Sequence, residues 1–109
     1  MQSNFEHCAD LVREADRDRY LATLFAPADR RDALFALYAF NVEISRVREV
    51  AREPMPAEIR LQWWREVLSG ERDGAAAAHA VAAPLVVSLG HPGMQTDRLT
   101  RIVGAAASD

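Results

Sequence analysis

Hydrophobic residues recur every three or four positions through most of this chain, and strand-like alternation of apolar and polar residues is not found. The clearest case lies between residues 34 and 44, where one side of a helix would carry Leu34, Leu37, Tyr38, Asn41 and Ile44. This spacing predicts an amphipathic helix that turns Tyr38, rather than Phe40, toward the core or a cavity. The pattern as a whole predicts an all-α fold.

Capping residues and prolines divide the chain into about six predicted helices. Ser3 and Glu6 form a capping box that begins the first helix. Pro27 and Pro56 each end one helix and begin the next, and Pro84 kinks the fifth helix or opens a new turn. The predicted helices span approximately residues 4–15, 20–25, 27–50, 56–69, 75–83 and 97–107.

Length and charge narrow the class of protein. At 109 residues, with 50% hydrophobic and 27% charged, the chain is typical of one soluble globular domain. Its net charge of −3 argues against a general nucleic-acid-binding role. The single Cys8 excludes an intrachain disulfide and indicates a reducing cytoplasm. Because no secretory leader or bilayer-length apolar segment is evident, we expect at most a peripheral contact with a membrane.

Two segments carry a family resemblance: LFALYAFNVEI at residues 34–44 and IRLQWWR at residues 59–65. With the residues around them, they resemble the N-terminal part of the squalene/phytoene synthase family, which condenses two prenyl diphosphates head to head. The resemblance implies a partial helical bundle of the prenyl (terpenoid) synthase type. It also implies that residues 1–109 are the N-terminal portion of a single, truncated domain.

The same resemblance draws attention to a missing carboxylate. In this family the corresponding helix continues into an Asp-x-x-x-Asp motif that holds magnesium and a substrate diphosphate. Aligned on LYAF, the two motif positions are Ser45 and Glu49, and no second Asp-rich motif occurs in these residues. Arg46 and Arg48 add positive charge in the same turn, so we expect Glu49 to form an ion pair instead of binding metal. Magnesium is expected only if the chain is a prenyl transferase, and no other cofactor is predicted.

Within the family, the chain resembles a branch that has lost this motif and is related to complex I assembly factor 6. This resemblance rests on the segment FNVEI at residues 40–44, the arginines that follow it and the segment 59–65. This implies a non-catalytic helical protein that keeps the fold and a cavity for a prenyl or lipid ligand. The alternative is part of a head-to-head prenyl transferase of isoprenoid, carotenoid or hopanoid biosynthesis, which binds diphosphate through other residues. A third hypothesis is a remnant without activity. Whether the chain is an enzyme stays open at this point.

Six residues are candidates for binding a ligand or a diphosphate: Arg19, Tyr20, Tyr38, Asn41, Ser45 and Glu49. In the resembling enzymes a short cavity-lining helix stands where residues 18–23 lie here. Arg19 is therefore a candidate charge-assisted donor to a diphosphate. A second interpretation, which the sequence leaves open, places Tyr20 in the core and pairs Arg19 with Asp16 or Asp32.

No metal site and no catalytic residue is predicted. The acidic residues of the first helix are interleaved with arginines, which favours a salt-bridged surface. The three histidines lack the spacing of helical metal ligands; they are His7, His79 and His91.

The fourth helix is expected to present Ile59, Trp63 and Val67 on one side. Trp63 and Trp64 point about 100° apart on a helix, so one is predicted in the core and the other against the next helix or a partner. We expect the third and fourth helices to leave an apolar face uncovered. Such a face favours a protein partner or self-association.

Overall fold

Seven helices make up the part of the chain that a computed structural model describes, residues 3–50, 54–71, 73–88 and 96–107. These residues contain no strand, which confirms the all-α prediction. In chain order the helices are α1 (Asn4–Ala15), α2 (Arg17–Thr23), α3 (Ala28–Val50), α4 (Pro54–Ser69), α5 (Asp73–Ala77), α6 (Ala82–Ser88) and α7 (Thr96–Ala107).

The corner between α1 and α2 is built by one residue, Asp16. Its backbone N–H donates to the Val12 carbonyl at 2.7 Å and so closes α1. Its carboxylate accepts a hydrogen bond from the Arg19 backbone N–H at 3.2 Å and so caps α2. At the other end of α1, the Ser3 hydroxyl accepts from the Glu6 N–H at 3.1 Å, as the capping box predicts.

Helix α3 buries a different face from the one that the sequence pattern predicts. Its buried residues are Phe35, Ala36, Ala39, Phe40, Ile44 and Val47. Leu34, Leu37, Tyr38 and Asn41 are only half-buried. At about 100° per residue, the two sets are centred more than a third of a turn apart. Of the predicted stripe only Ile44 is buried, and the expected burial of Tyr38 is wrong. Residues 33–40 are apolar on every side of the helix, so that packing against α1 and α6 selects the buried face.

Helix α4 joins this core through Trp64, which is 3% exposed and meets Phe40 edge to face, with ring centroids 5.1 Å apart. Trp63 is half-buried and contacts the turn before α6, so the prediction of one core and one interface tryptophan is confirmed. The predicted side of the helix is wrong at Ile59, which is 66% exposed. Helix α7 packs against the α4 face that carries the buried residues.

The predicted helix over residues 75–83 is two short helices, α5 and α6, joined by a turn. Alanine favours a continuous helix, but Pro84 excludes one, because its ring would clash with the carbonyl of Ala80 four residues earlier. Pro84 instead lies in the first turn of α6, where no N–H is needed for the helix. The freed carbonyl of Ala80 accepts from the buried Cys8 thiol, with 3.8 Å between sulfur and oxygen.

We expect Phe40→Ala to lower the free energy of unfolding by about 3–5 kcal/mol, because it removes a fully buried aromatic ring. Tyr38→Ala should cost less, since Tyr38 is half-buried. Chemical denaturation of both variants makes the comparison. A larger loss for Tyr38→Ala would mean that α3 buries the face first predicted from the sequence.

Candidate functional site on two sides of helix α3

A first cleft, of about 410 Å³, lies between α1, the beginning of α2 and α3; we call it the α1–α3 cleft. Its apolar wall consists of Val12, Ala15 and Val42. Its polar residues are Asp16, Arg19, Tyr38, Asn41, Ser45 and Arg46. The half-buried Tyr38 and Asn41 therefore face this cleft instead of the core, and the exposed Ser45 follows them along the same side of α3.

Arg19 is held over the cleft by two neighbours. The centre of its guanidinium is 5.0 Å from the centroid of the Tyr38 ring, within cation–π range. Its Nε is 3.4 Å from the Asp16 carboxylate, so the predicted pairing with Asp16 is confirmed. Both side chains of this pair are substantially exposed, at 51% and 40%. Such a pair is weak, and the guanidinium remains able to donate to an anion in the cleft.

The six candidate residues separate into three groups. Arg19, Tyr38, Asn41 and Ser45 come together in the α1–α3 cleft. Tyr20 instead packs on the core, with its ring centroid 5.6 Å from that of Phe35. This agrees with the second interpretation of Tyr20. The Glu49 side chain lies outside the described part of the structure, as does that of Arg48.

The position of the first motif aspartate is occupied by the exposed Ser45, next to the exposed Arg46. Ser45 offers a neutral hydroxyl in place of the negative oxygen that Mg²⁺ prefers. Among the described residues, no group of three or more His, Cys, Asp or Glu side chains is arranged to hold a metal ion.

A second cleft, of about 500 Å³, lies on another side of α3 and is called the α3–α4 cleft. It is lined by Glu43, Arg46, Val47, Arg60, Trp63, Trp64 and His79. No pattern in the sequence predicts this cleft. Glu43 and Arg46 share a face of α3, and Arg60 and Trp63 share a face of α4, but only tertiary packing brings these two faces together.

His79 connects this cleft to the beginning of α6. Its Nδ1 accepts hydrogen bonds from the backbone N–H groups of Val81 and Ala82, both at 3.1 Å. The imidazole therefore caps the N-terminal end of α6, and the neutral ring carries its proton on Nε2.

Two side chains, His79 of this cleft and the buried Cys8, have pKa values shifted from their usual ones. Burial lowers the pKa of His79 from its usual 6.5; Glu43 acts in the opposite direction, and His7 lowers it further. Burial, with a smaller contribution from Glu43, raises the pKa of the Cys8 thiol from 9.0 to about 12. Cys8 is buried, and its protonated thiol donates a hydrogen bond to the Ala80 carbonyl.

Comparison with known proteins agrees with this architecture. A sequence profile of squalene/phytoene synthase matches residues 12–109, which is most of the chain. The chain belongs to the squalene/phytoene synthase family. The resemblance inferred from the segments at residues 34–44 and 59–65 is thereby confirmed.

Within the squalene/phytoene synthase family, the chain is similar to complex I assembly factor 6. It is 37% identical to the human protein over 62 residues and 47% identical to the Drosophila melanogaster homologue over 62 residues. The Bos taurus protein is 36% identical over 62 residues. These matches cover 56–57% of this chain and 19% of each relative, so the chain spans about a fifth of the relatives' length.

No solved structure gives a significant match to the chain. None of the helices in the described residues is both long enough and apolar enough to cross a membrane.

We predict that the N-cap from His79 makes stability depend on pH. Because the folded pKa is lowered, the unfolded chain binds the proton more readily. The stabilisation is complete above pH 6.5 and is lost as pH falls from 6.5 through the lowered folded value. Thermal melts at about pH 8 and about pH 5 measure this loss.

His79→Asn is the matched control, because an asparagine oxygen can cap the helix without titrating. Its melting temperature should change less between these two pH values than that of the unaltered protein. Equal changes in the two proteins would contradict the role of His79, since carboxylates elsewhere titrate in both.

Proposed function

We propose that this chain is a non-catalytic, ligand-binding member of the squalene/phytoene synthase family, acting in the manner of its complex I assembly factor 6 relatives. The observation that carries the proposal is the replacement of the first motif aspartate by Ser45, in a cleft that also contains Arg19 and Arg46. Head-to-head condensation must hold two highly charged diphosphates side by side, and magnesium ions held by carboxylates ordinarily offset that charge. The neutral hydroxyl of Ser45 is a poor substitute for a carboxylate that holds Mg²⁺.

The ligand proposed for the α1–α3 cleft is a prenyl diphosphate or a lipid with an anionic head group. Arg19 and Arg46 supply charge-assisted donors, and Tyr38, Asn41 and Ser45 add neutral hydrogen-bonding groups. Asp16 reduces the positive charge but also orients Arg19. The apolar wall from α1 and α3 would receive the first part of a hydrocarbon chain.

A protein partner is the second part of the proposal. The relatives are named as assembly factors of complex I, and such a role requires contact with other proteins. The end of α2 and the turn after it expose three apolar residues, Leu21, Leu24 and Phe25, of which Phe25 is 91% exposed. This surface supports binding to a partner or to a second copy. We propose a cytoplasmic protein that meets a membrane surface when it binds its lipid.

The first test is whether the chain condenses prenyl diphosphates. Incubation with farnesyl or geranylgeranyl diphosphate and Mg²⁺ should give no squalene or phytoene above a protein-free control. The physical reason is the missing aspartate at position 45. Sustained turnover would instead establish the alternative, a prenyl transferase that holds its diphosphates through other residues.

The second test measures binding directly. Isothermal titration calorimetry should detect the binding of farnesyl diphosphate to the chain. Arg19→Gln should weaken this binding roughly tenfold or more, because a hydrogen bond between charged groups is lost. Arg13→Gln is the matched control, since Arg13 is an exposed arginine of α1 and does not line the cleft. Equal affinities for the two variants, or equal binding of uncharged farnesol, would contradict a head-group site at Arg19.

A further inference from the structure

The α3–α4 cleft has two exposed cationic side chains, Arg46 and Arg60. Neither makes an ion pair with a side chain that the structure describes. Arg46 lies on α3 and Arg60 on α4, so that only the packing of these two helices brings both to one cleft. Glu43 is the acidic residue of the lining, and with His79 neutral the lining keeps a net positive charge.

The wall of this cleft is aromatic. Trp63 meets Trp64 edge to face at 5.1 Å between ring centroids and lies against His79 at 5.1 Å with 43° between the planes. Trp64 and His79 are 5.5 Å apart and complete the group. Trp64 is anchored in the core, whereas Trp63 is half-buried and keeps part of its surface accessible. A rigid, partly exposed indole offers a planar apolar group a surface for stacking.

His79 adds a neutral donor. Its Nδ1 is already occupied by the N–H groups of Val81 and Ala82, so the remaining ring proton is on Nε2. The volume of about 500 Å³ falls within the usual range for small-molecule sites, roughly 300–1,000 Å³.

We propose that the α3–α4 cleft binds a small molecule that combines a planar aromatic group with one anionic group, a carboxylate or a phosphate monoester. The aromatic group stacks on Trp63, and the anion is bound by Arg46 and Arg60. This site is separate from the head-group site of the α1–α3 cleft. Arg46 lines both clefts, so Arg60 and Trp63 are the residues that distinguish the second one.

The test uses three probes: naphthyl phosphate, naphthol and inorganic phosphate. Binding is followed through the indole N–H signals of Trp63 and Trp64 in two-dimensional NMR spectra of the 109-residue chain. Naphthyl phosphate should bind saturably and more tightly than naphthol or inorganic phosphate, because it alone contacts both the Trp63 ring and the two arginines. The Trp63 signal should move most.

Two variants locate the site, and two act as controls. Arg60→Gln should weaken naphthyl phosphate binding roughly tenfold or more, and Trp63→Leu should also weaken it. Arg13→Gln and Arg19→Gln should bind as the unaltered protein does. Circular dichroism melts establish that each variant is folded.

The proposal is overturned if binding is not saturable, if naphthol binds as tightly as naphthyl phosphate, or if Arg60→Gln leaves the affinity unchanged. It is also overturned if Arg19→Gln abolishes binding, since the probe would then occupy the α1–α3 cleft. Failure here leaves the farnesyl diphosphate test unaffected, because that test depends on Arg19.

Discussion

The burial of Phe40 sets which face of α3 meets the other helices, and its contact with Trp64 joins the two longest helices, α3 and α4. Phe40 is fully buried and Trp64 nearly so, with their rings edge to face. A large aromatic in a packed core leaves little freedom for its helix to rotate. Once Phe40 points inward, the rotation of α3 directs Tyr38 to the α1–α3 cleft and Arg46 to the α3–α4 cleft. One buried ring thus determines which side chains both clefts receive.

A second constraint comes from the ring of Pro84. Because this residue cannot donate a hydrogen bond and would clash with the carbonyl of Ala80, the alanine-rich segment cannot continue as one helix. The break brings His79 to the beginning of α6, where its Nδ1 accepts two backbone N–H groups. It also leaves the Ala80 carbonyl for the Cys8 thiol. A local steric restriction therefore accounts for the short helix that His79 caps and for the carbonyl to which the Cys8 thiol donates.

The described lining of each cleft combines two arginines with one carboxylate. At Ser45 the side chain is neutral, and the nearby cations in the α1–α3 cleft are Arg19 and Arg46. The arginines are donors suited to an anion, whereas a hydroxyl replaces the carboxylate oxygen that a hard divalent cation prefers. The α3–α4 cleft also has two arginines and adds an aromatic wall. Membership of a synthase family and the loss of its first motif residue are thus compatible, since the fold retains cavities when the catalytic carboxylate is gone.

The sequence alone determined the helical class, the family and the residues that begin and end most helices, because periodicity, caps and prolines act within a few neighbouring residues. It also selected Arg19, Tyr38, Asn41 and Ser45, which the structure brings to one cleft. It could not determine which face of α3 is buried, because residues 33–40 are apolar all round that helix. Nor could it reveal the α3–α4 cleft, whose residues are spread from Glu43 to His79 along the chain. Those features were decided by tertiary packing, since the burial of a side chain depends on which other helix covers it.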